Sequence, residues 1–486
     1  ILGANSVSGG YEISNSLRFN NDDSPRLTFT PSSAGNRRTF TLSVWFKLGD
    51  TVTTGERVLL AADDGTGNNG NFDYIAVNGT DRIFVYGYTG SENQQVMTAG
   101  LLRDPSAWYH LVFAYDTTQS TAADRVKIYL NGSRVTDIAT GNYPSLNLQS
   151  KWNNNNAQRI SSYPDQDASY FDGYMAEYHL VDGAQKAPSD FGEFDDNGVW
   201  IPKKYTGDYG TNGFYLEFKE TGTDADASGI GADTSGNDHH WAVTNLAATD
   251  VTTDTPTNNF MTLNPLAKAA LAANPTEGNL IHAGQTSGYA QTVLGTLAWH
   301  GSGGKWYWEM EQGGANAGNY GFIRTDRPDG TNGVGNIVQT TSSQPAEVVA
   351  YDWAWGVNPS NGNSRHDGSN GSYGSALGNG DHGMVAVDTV AGKAWWGKNG
   401  TWFASGNPAT GANPAFTDSD MTEGIFTIYS MVSDTDGRIK RYNFGNPPTG
   451  FAIASGNADA NGYGNFEYAP PSGYYSLCTK NLGEFG

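Results

Sequence analysis

Two adjacent histidines, His239 and His240, stand beside Asp233 and Asp238 in the stretch ADTSGNDHHWAV, within a chain that has eight histidines in all. Imidazole and carboxylate together could bind a metal or relay a proton. On an extended strand, however, neighbouring side chains point to opposite faces, so His239 and His240 cannot readily share one ion. The residues before them read as a turn. Asp233 can accept backbone N–H bonds, and Gly236 and Asn237 tolerate left-handed geometry. His239 then falls on the side of Trp241, as a packed or edge residue.

Carboxylates are the next candidates. A sandwich-type glycanase needs an acid and a nucleophile on one strand face. EFDDNG offers Glu193 and Asp195 but continues with Asn197 and Gly198, while EME offers Glu309 and Glu311 without an aspartate between them. The EME pair shares a face and reads as a solvated strand edge. The chain has no G-x-S-x-G elbow, no H-E-x-x-H and no cysteine cluster, and GSGGKW lacks the P-loop spacing. A Ser/His/Asp triad assembled from distant loops would leave no sequence signature. No catalytic residue and no metal site is assigned, and the protein is expected not to be an enzyme. Ca²⁺ is the one ion with suitable oxygen-rich loops, NNDDS (Asn20–Ser24) and AADDGTGNNGN (Ala61–Asn71), neither with EF-hand spacing.

Binding has better candidates than catalysis. YDWAWGVN brings Tyr351, Trp353 and Trp355 to alternate positions, followed by Asn363, Arg365 and His366, and NGTWF carries Trp402. Aromatic faces with amides nearby suit a sugar or a peptide. The same alternation also describes the inward face of a strand, so core is the competing reading. Four glycosylation-type sequons, at Asn78, Asn131, Asn370 and Asn399, are all Asn-Gly, which a tight turn explains without sugar.

These side chains must be carried by strands. In TFTLSVWFKL, Phe40, Leu42, Val44, Phe46 and Leu48 share one face and Thr41, Ser43 and Lys47 the other, the pattern of a half-buried strand. YHLVFAYD, RVKIYLNGSRV, YFDGYMAEYHLVDG and GFYLEFKE continue the series, and GKWYWEMEQ, HGMVAVDTVAGKAWWGKNGTWF and GIFTIYSMV repeat it later. Glycine supplies 63 of 486 residues, about twice the usual share of roughly 7%, and aromatics 12%. The fold class is therefore all-β, with two antiparallel β-sandwich (jelly-roll) domains in series.

VTTDTPTNNFMTLNP, with two prolines and no periodicity, reads as a linker. LAKAALAA, 266–273, follows as a helix of about two turns between Pro265 and Pro275. The domains are thus 1–250, a linker with a short helix at 251–303, and 304–486. The Gly/Ser/Asn-rich stretch 358–383 reads as a long exposed loop. ILGANSVSGGYEIS is polar and glycine-rich, an attachment arm whose loss before Leu17 should leave stability nearly intact.

Charge excludes some partners. A formal net charge of −22 argues against a nucleic-acid backbone. No apolar run approaches a membrane span, and the first residues lack a signal-peptide pattern, so the chain is expected to be soluble, unexported by that route and short of only its initiator methionine. The single cysteine, Cys478, permits no internal disulfide.

SLRFNNDDSPRLTF, RTFTLSVWFKLG, WYHLVFAYDTT, VKIYLNGSRV and FDGYMAEYHLVDGA, in that order over Ser16–Ala184, resemble a laminin G-like, or concanavalin A-like, jelly roll. The FYLEF strand and DTSGN turn, which precede LRF in many relatives, follow it here. That implies a circularly shifted strand order and extends the first domain to about Ala248. GKWYWEM, MVAVDTVAGKAWWGKNG, YNFGNPP and PPSGYYSLCTKNL resemble a SPRY domain over about Gly304–Leu482.

The whole order is similar to virion appendage proteins of marine bacteriophages. The resemblance implies a structural tail-fibre or surface component made in the host cytoplasm and carried on the virion surface. It would contact other virion proteins, form a homo-oligomer and meet a host-surface glycan or protein. A glycan-binding or glycan-cleaving protein and a capsid decoration or head-fibre protein are the alternatives.

Overall fold

In the computed structural model the described residues are 10–49, 55–65, 70–163, 168–269, 272–284, 291–314, 318–326, 352–432 and 437–486. They form two compact units, Val7–Thr257 and Asn258–Gly486. Both are β-sandwiches built from antiparallel sheets, the expected fold class.

In the first unit the alternation of Thr39–Leu48 sends Phe40, Leu42, Val44, Phe46 and Leu48 into one core. That strand lies between Trp108–Asp116 and Gly173–Asp182. Val126–Leu130 and Ser133–Arg134 extend the sheet on one side, and Ser16–Phe19 and Val251–Thr252 on the other, with Phe214–Leu216 also paired to Gly173–Asp182. The facing sheet runs Ile138–Asn142, Glu92–Thr98, Ile83–Tyr88, Phe72–Val77, Arg57–Asp63, Gln158–Ile160, Arg26–Phe29, Ala242–Thr244. The late strands thus enter both sheets.

Thr39–Leu48 is not half-buried as its alternation suggests. Thr41, Ser43, Trp45 and Lys47, on the face away from the core, are also buried. Ile13 and Trp200 pack there on Trp45, Trp108 and Tyr174, and Phe191 and Tyr205 pack on Val112 and Val181. We call this the roofed sheet. Buried polar side chains beneath the roof are partnered there, as burial demands. Thr41 Oγ1 donates to the Ala184 carbonyl at 2.8 Å. Trp200 Nε1 donates to His110 Nδ1 at 2.9 Å, which leaves Nε2–H to donate to Ser43 Oγ at 2.8 Å. Burial holds His110 down at about 3, so it stays neutral. Lys47 Nζ meets Asp254 Oδ2 at 2.8 Å, and Trp108 Nε1 donates to Asp254 Oδ1 at 3.2 Å.

The expected attachment arm is part of this roof from Tyr11 on. Ile13 is buried, and its N–H and carbonyl both bond Thr257 Oγ1, at 3.1 Å each. Tyr11 donates to Glu177. The tally of polar residues in the segment hid the two apolar anchors, Tyr11 and Ile13.

The second unit pairs one sheet, Leu263–Lys268, Gln291–Gly295, Ile425–Val432, Tyr320–Arg324, Ala354–Val357, Ser364–His366 and Ser369–Gly371, with Trp299–His300 also on Ile425–Val432, against another. The second holds Ile281–Ala283, Arg438–Asn443, Lys305–Gly314, His382–Asp388, Lys393–Lys398 and Thr401–Trp402. Trp299, Trp306, Trp308, Trp355, Trp396 and Phe322 fill the core between them.

Three readings of this half need correction. The stretch 251–303 is not a linker, because Val251–Thr252 joins the first unit and strands from Leu263 to His300 join the second. Leu266–Lys268 is extended rather than helical: sheet pairing overrides alanine's helix propensity, and an edge strand tolerates Pro265 without its N–H. A helix does occur at Thr479–Phe485. The stretch 358–383 is not all exposed loop either. It contains the hairpin Ser364–His366/Ser369–Gly371, turning on left-handed Asp367 and Gly368, and Leu377 is fully buried in the core. Asn370-Gly371 therefore lies in a strand, whereas Asn131-Gly132 and Asn399-Gly400 have positive φ at both residues, as tight hairpin turns require.

Two stability outcomes follow from the roof. Ile13→Ala should lower unfolding free energy by about 2–4 kcal/mol in a denaturant titration, the usual result of emptying a buried aliphatic site; an unchanged midpoint would restore the dispensable-arm reading. Asp254→Ala should cost about 3–5 kcal/mol, because Lys47 would be left charged and buried.

Candidate functional site

The outer face of the other sheet has a different composition. In FDYIAV, Ile75 and Val77 point into the core, so Phe72, Tyr74 and Ala76 point out; in IFVYGY, Ile83 and Val85 point in and Phe84, Tyr86 and Tyr88 out. The strands are joined through Asn78, whose Oδ1 accepts from the Thr80 and Arg82 N–H groups. Register aligns the outward residues in rows across the strands: Asp63, Phe72, Tyr88, Glu92; then Ala61, Tyr74, Tyr86, Gln95, Asn142; then Val58, Ala76, Phe84, Met97, Thr140. Rows lie roughly 7 Å apart along the strands.

The rings form one continuous layer. Phe72 lies 5.8 Å from Tyr88, nearly parallel, and 6.1 Å from Tyr86. Tyr74 touches Tyr86 at 5.6 Å, Phe84 at 5.9 Å and Tyr163 at 5.0 Å. Tyr74 and Phe84 are 5% and 8% exposed and form the floor, whereas Phe72, Tyr86 and Tyr88 are half-buried and present ring surface outward. Tyr163 donates to Glu56 at 2.7 Å, and Asn142 Nδ2 donates to Glu92 at 2.7 Å. Burial, then the nearby Glu92, pushes the Tyr86 hydroxyl above its usual range, so it stays protonated and can donate. Flat apolar rings beside amides, hydroxyls and carboxylates can hold a sugar ring by its C–H face while bonding its hydroxyls.

Under this layer Asp73 points inward. It accepts from Gln94 Nε2 at 2.8 Å and from the Lys151 N–H at 2.5 Å. Gly87 opposite is required, since a Cβ there would stand 2.2 Å from Asp73 Oδ1. Burial is the main cause that pushes the Asp73 carboxyl up to about 6.

The binding residues chosen from sequence fare differently. Tyr351 lies outside the described residues. Trp353 is 2% exposed and packs with Ile323, Ala354, Tyr429 and Met431. Trp355 is fully buried in the core against Phe322, although its Nε1 reaches Asp418 Oδ2 at 3.0 Å. The strand begins at Ala354, so the two tryptophans do not share the face that their spacing implied. His366 stacks on Trp355 at 5.0 Å, with Nε2 3.3 Å from Asp418 and Nδ1 3.1 Å from the Ala354 carbonyl. Trp355 and His366 are therefore brought together, with Asp418, into a tie that fixes the hairpin. Asn363 sits in a turn that accepts the Asn358 N–H on its carbonyl, and Arg365 is half-buried between Gly356 and Asn370. Trp402 is half-buried beside Tyr307 on the other sheet. Of the six described positions, Trp355 and His366 meet and the others lie apart from them.

The carboxylates have structural tasks. Glu309 and Glu311 are buried, not a solvated edge. Glu309 accepts from Tyr307 at 2.8 Å and from the Glu467 and Tyr468 N–H groups at 3.0 and 2.8 Å, and burial raises its carboxyl. Glu311 binds Arg441 at 2.8 Å. Among the calcium candidates, Asp23 accepts from Asn20 and Asp64 from Asn71. The described residues contain no group of three or more metal-ligating side chains. Asp233 does what its turn requires: it accepts from the N–H groups of Tyr215, Ser235 and His239. His239 lies 5.0 Å from Phe29, which also packs on Trp241, so the two share a side. His240 Nδ1 accepts the Asp233 N–H at 3.0 Å, and in the turn Gly236 and Asp238, rather than Asn237, take positive φ.

Sequence reasoning passed over the aromatic face. Its signal is present in FDYIAVNGTDRIFVYGY, where the inward phase is aliphatic and the outward phase, normally polar, is aromatic.

Residues 21–189 match a protein-family model, Laminin_G_3, described as the concanavalin A-like lectin/glucanases superfamily. Among solved structures the chain is similar to the SPRY domain of human HERC1, at 16% identity over 39% of this chain and 99% of that one, with a TM-score of 0.27. It is also similar to a heptameric SAP-like pentraxin from Limulus polyphemus, at 15% over 36% and 80%, TM-score 0.27. A further likeness is to domain 4 of the arabinanase AbnA from Geobacillus stearothermophilus, in complex with arabinotriose, at 17% over 32% and 66%, TM-score 0.24. No curated protein matches the chain in sequence.

Asp73 supplies a pH test of this region. Its folded value near 6 exceeds the ordinary 3.8, so the folded state binds the proton more tightly and stability falls as pH rises from 3.8 to 6. The loss from this group is up to about 3 kcal/mol. In denaturant titrations across that window, the difference in stability between the wild type and Asp73→Asn should change with pH by that order; parallel profiles would contradict the assignment.

Proposed function

We propose that the protein is a non-enzymatic surface-recognition component of a virion appendage, and that its first sandwich binds host-surface glycan on the open aromatic face. The observation that carries the binding part is the layer of Phe72, Tyr86 and Tyr88, half-buried on a sheet whose neighbour is roofed. A face serving only stability would be expected to alternate to polar side chains at those positions. The concanavalin A-like match over residues 21–189 supports a lectin-type use of this sandwich. The non-enzymatic part is supported by the structural engagement of Glu309 and Glu311, the paired carboxylates of the chain's best glycanase-like strand. The appendage part rests on the order of sequence strings from the LRF strand to the closing PPSGYYSLCTKNL, and it includes contacts with other virion proteins and with further copies of this chain.

Two measurements test it. Phe72→Ala/Tyr86→Ala should weaken binding to host-surface polysaccharide by tenfold or more, the equivalent of about 1.4 kcal/mol, while leaving the thermal midpoint within a few degrees because both rings are half-exposed. Antibody against the protein should label purified particles; protein found in the lysate and never on particles would remove the appendage reading.

A further inference from the structure

The charges around the aromatic face narrow its ligand, on the premise that the face binds glycan. Asp63 and Glu92 end the row that holds Phe72 and Tyr88, and Glu56 sits on Tyr163 beside Tyr74. Register places Arg159 next to Ala61, with its Nη1 on the Tyr163 carbonyl at 3.1 Å, and Lys151 Nζ stands 3.7 Å from Asp64, next to Asp63 in the chain. The chain as a whole carries −22. The carboxylate oxygens left beside the rings belong to Glu56 and Glu92, so a sulfated or uronic-acid polymer would meet like charge there, while Arg159 and Lys151 are held on the Tyr163 carbonyl and on Asp64.

The polar atoms that remain suit hydroxyls. Glu56 and Glu92 each use one oxygen internally, and the other has no protein partner among the described residues. Nor do the Tyr86 and Tyr88 hydroxyls or the Gln95 amide. Carboxylate oxygens accept, phenols donate and accept, and the amide does both. The three outward rings span two rows, about 7 Å along the strands, which exceeds one sugar ring. We infer that this face takes an uncharged glycan chain, with at least two consecutive sugar residues stacked over Phe72, Tyr86 and Tyr88.

The test uses the full chain and Phe72→Ala/Tyr86→Ala in calorimetric titrations. The probes are neutral glycans (β-glucan, xylan and galactomannan, with their oligomers), the polyanions alginate and dextran sulfate, and chitosan oligosaccharides. The expected result is binding to a neutral glycan that strengthens at least tenfold from monosaccharide to oligomer, is unmoved by salt, and is lost in the double variant. Binding to a polyanion or to chitosan instead, lost in the same variant, would overturn the uncharged class while leaving the glycan-binding site standing. Binding that survives the double substitution would overturn the site, and no binding to any probe would overturn both the class and the reading on which it rests.

Discussion

Thr41, Ser43 and Lys47 lie on the face of Thr39–Leu48 that points away from the hydrophobic core, yet all three are buried, and each must find its partner inside the protein. Lys47 is the most demanding. An ammonium removed from water costs several kcal/mol unless a counter-charge is close, and Asp254 supplies it at 2.8 Å, from a segment more than 200 residues further along the chain. The roof over this sheet depends on that pairing and on the Ser43–His110–Trp200 relay beside it. The first sheet is closed on both faces, whereas on the outer side of its partner the outward residues are aromatic and Phe72, Tyr86 and Tyr88 are half-buried.

The second unit repeats one local device of the first. Asn131 Oδ1 accepts the His110 N–H at 2.8 Å and its own N–H returns to the His110 carbonyl at 2.9 Å; Asn399 and His382 do the same at the same distances. In both hairpins the glycine that follows is left-handed and faces an aromatic ring, Trp200 at Gly132 and Tyr468 at Gly400. Covering segments therefore seat on these turns where any Cβ would intrude. In the first unit the roof also crosses a bulge at which Glu177 takes a left-handed φ of 50°, a strained state for glutamate. Tyr11 and Tyr215 donate to its carboxylate, and His179 stacks on Tyr215 at 4.2 Å, so the strained residue is held from several sides.

Much of the fold was legible because period-two alternation with Asn-Gly turns has few other meanings. The core positions of Thr39–Leu48 and the turn at Asp233 were both readable from residue type alone. What alternation could not reveal was a second layer: nothing local in TFTLSVWFKL says that Lys47 is covered, since its partner Asp254 lies in a stretch that reads as linker. Leu266–Lys268 departs from the helical propensity of LAKAALAA for the same reason, yielding to pairing with Gln291–Gly295. The spacing of Trp353 and Trp355 implies a shared face, but a strand that starts between them breaks it. The aromatic face carries no rare residue to mark it, since its outward phase is tyrosine and phenylalanine rather than tryptophan or histidine.

The most direct measurement is a crystal structure of the full chain with a neutral oligosaccharide bound. Sugar rings should be found stacked on Phe72, Tyr86 and Tyr88, with hydroxyls toward Gln95, Glu92 and Glu56. Sugar seated instead around His366 and Trp402 in the second unit, with the aromatic face bare, would contradict that placement.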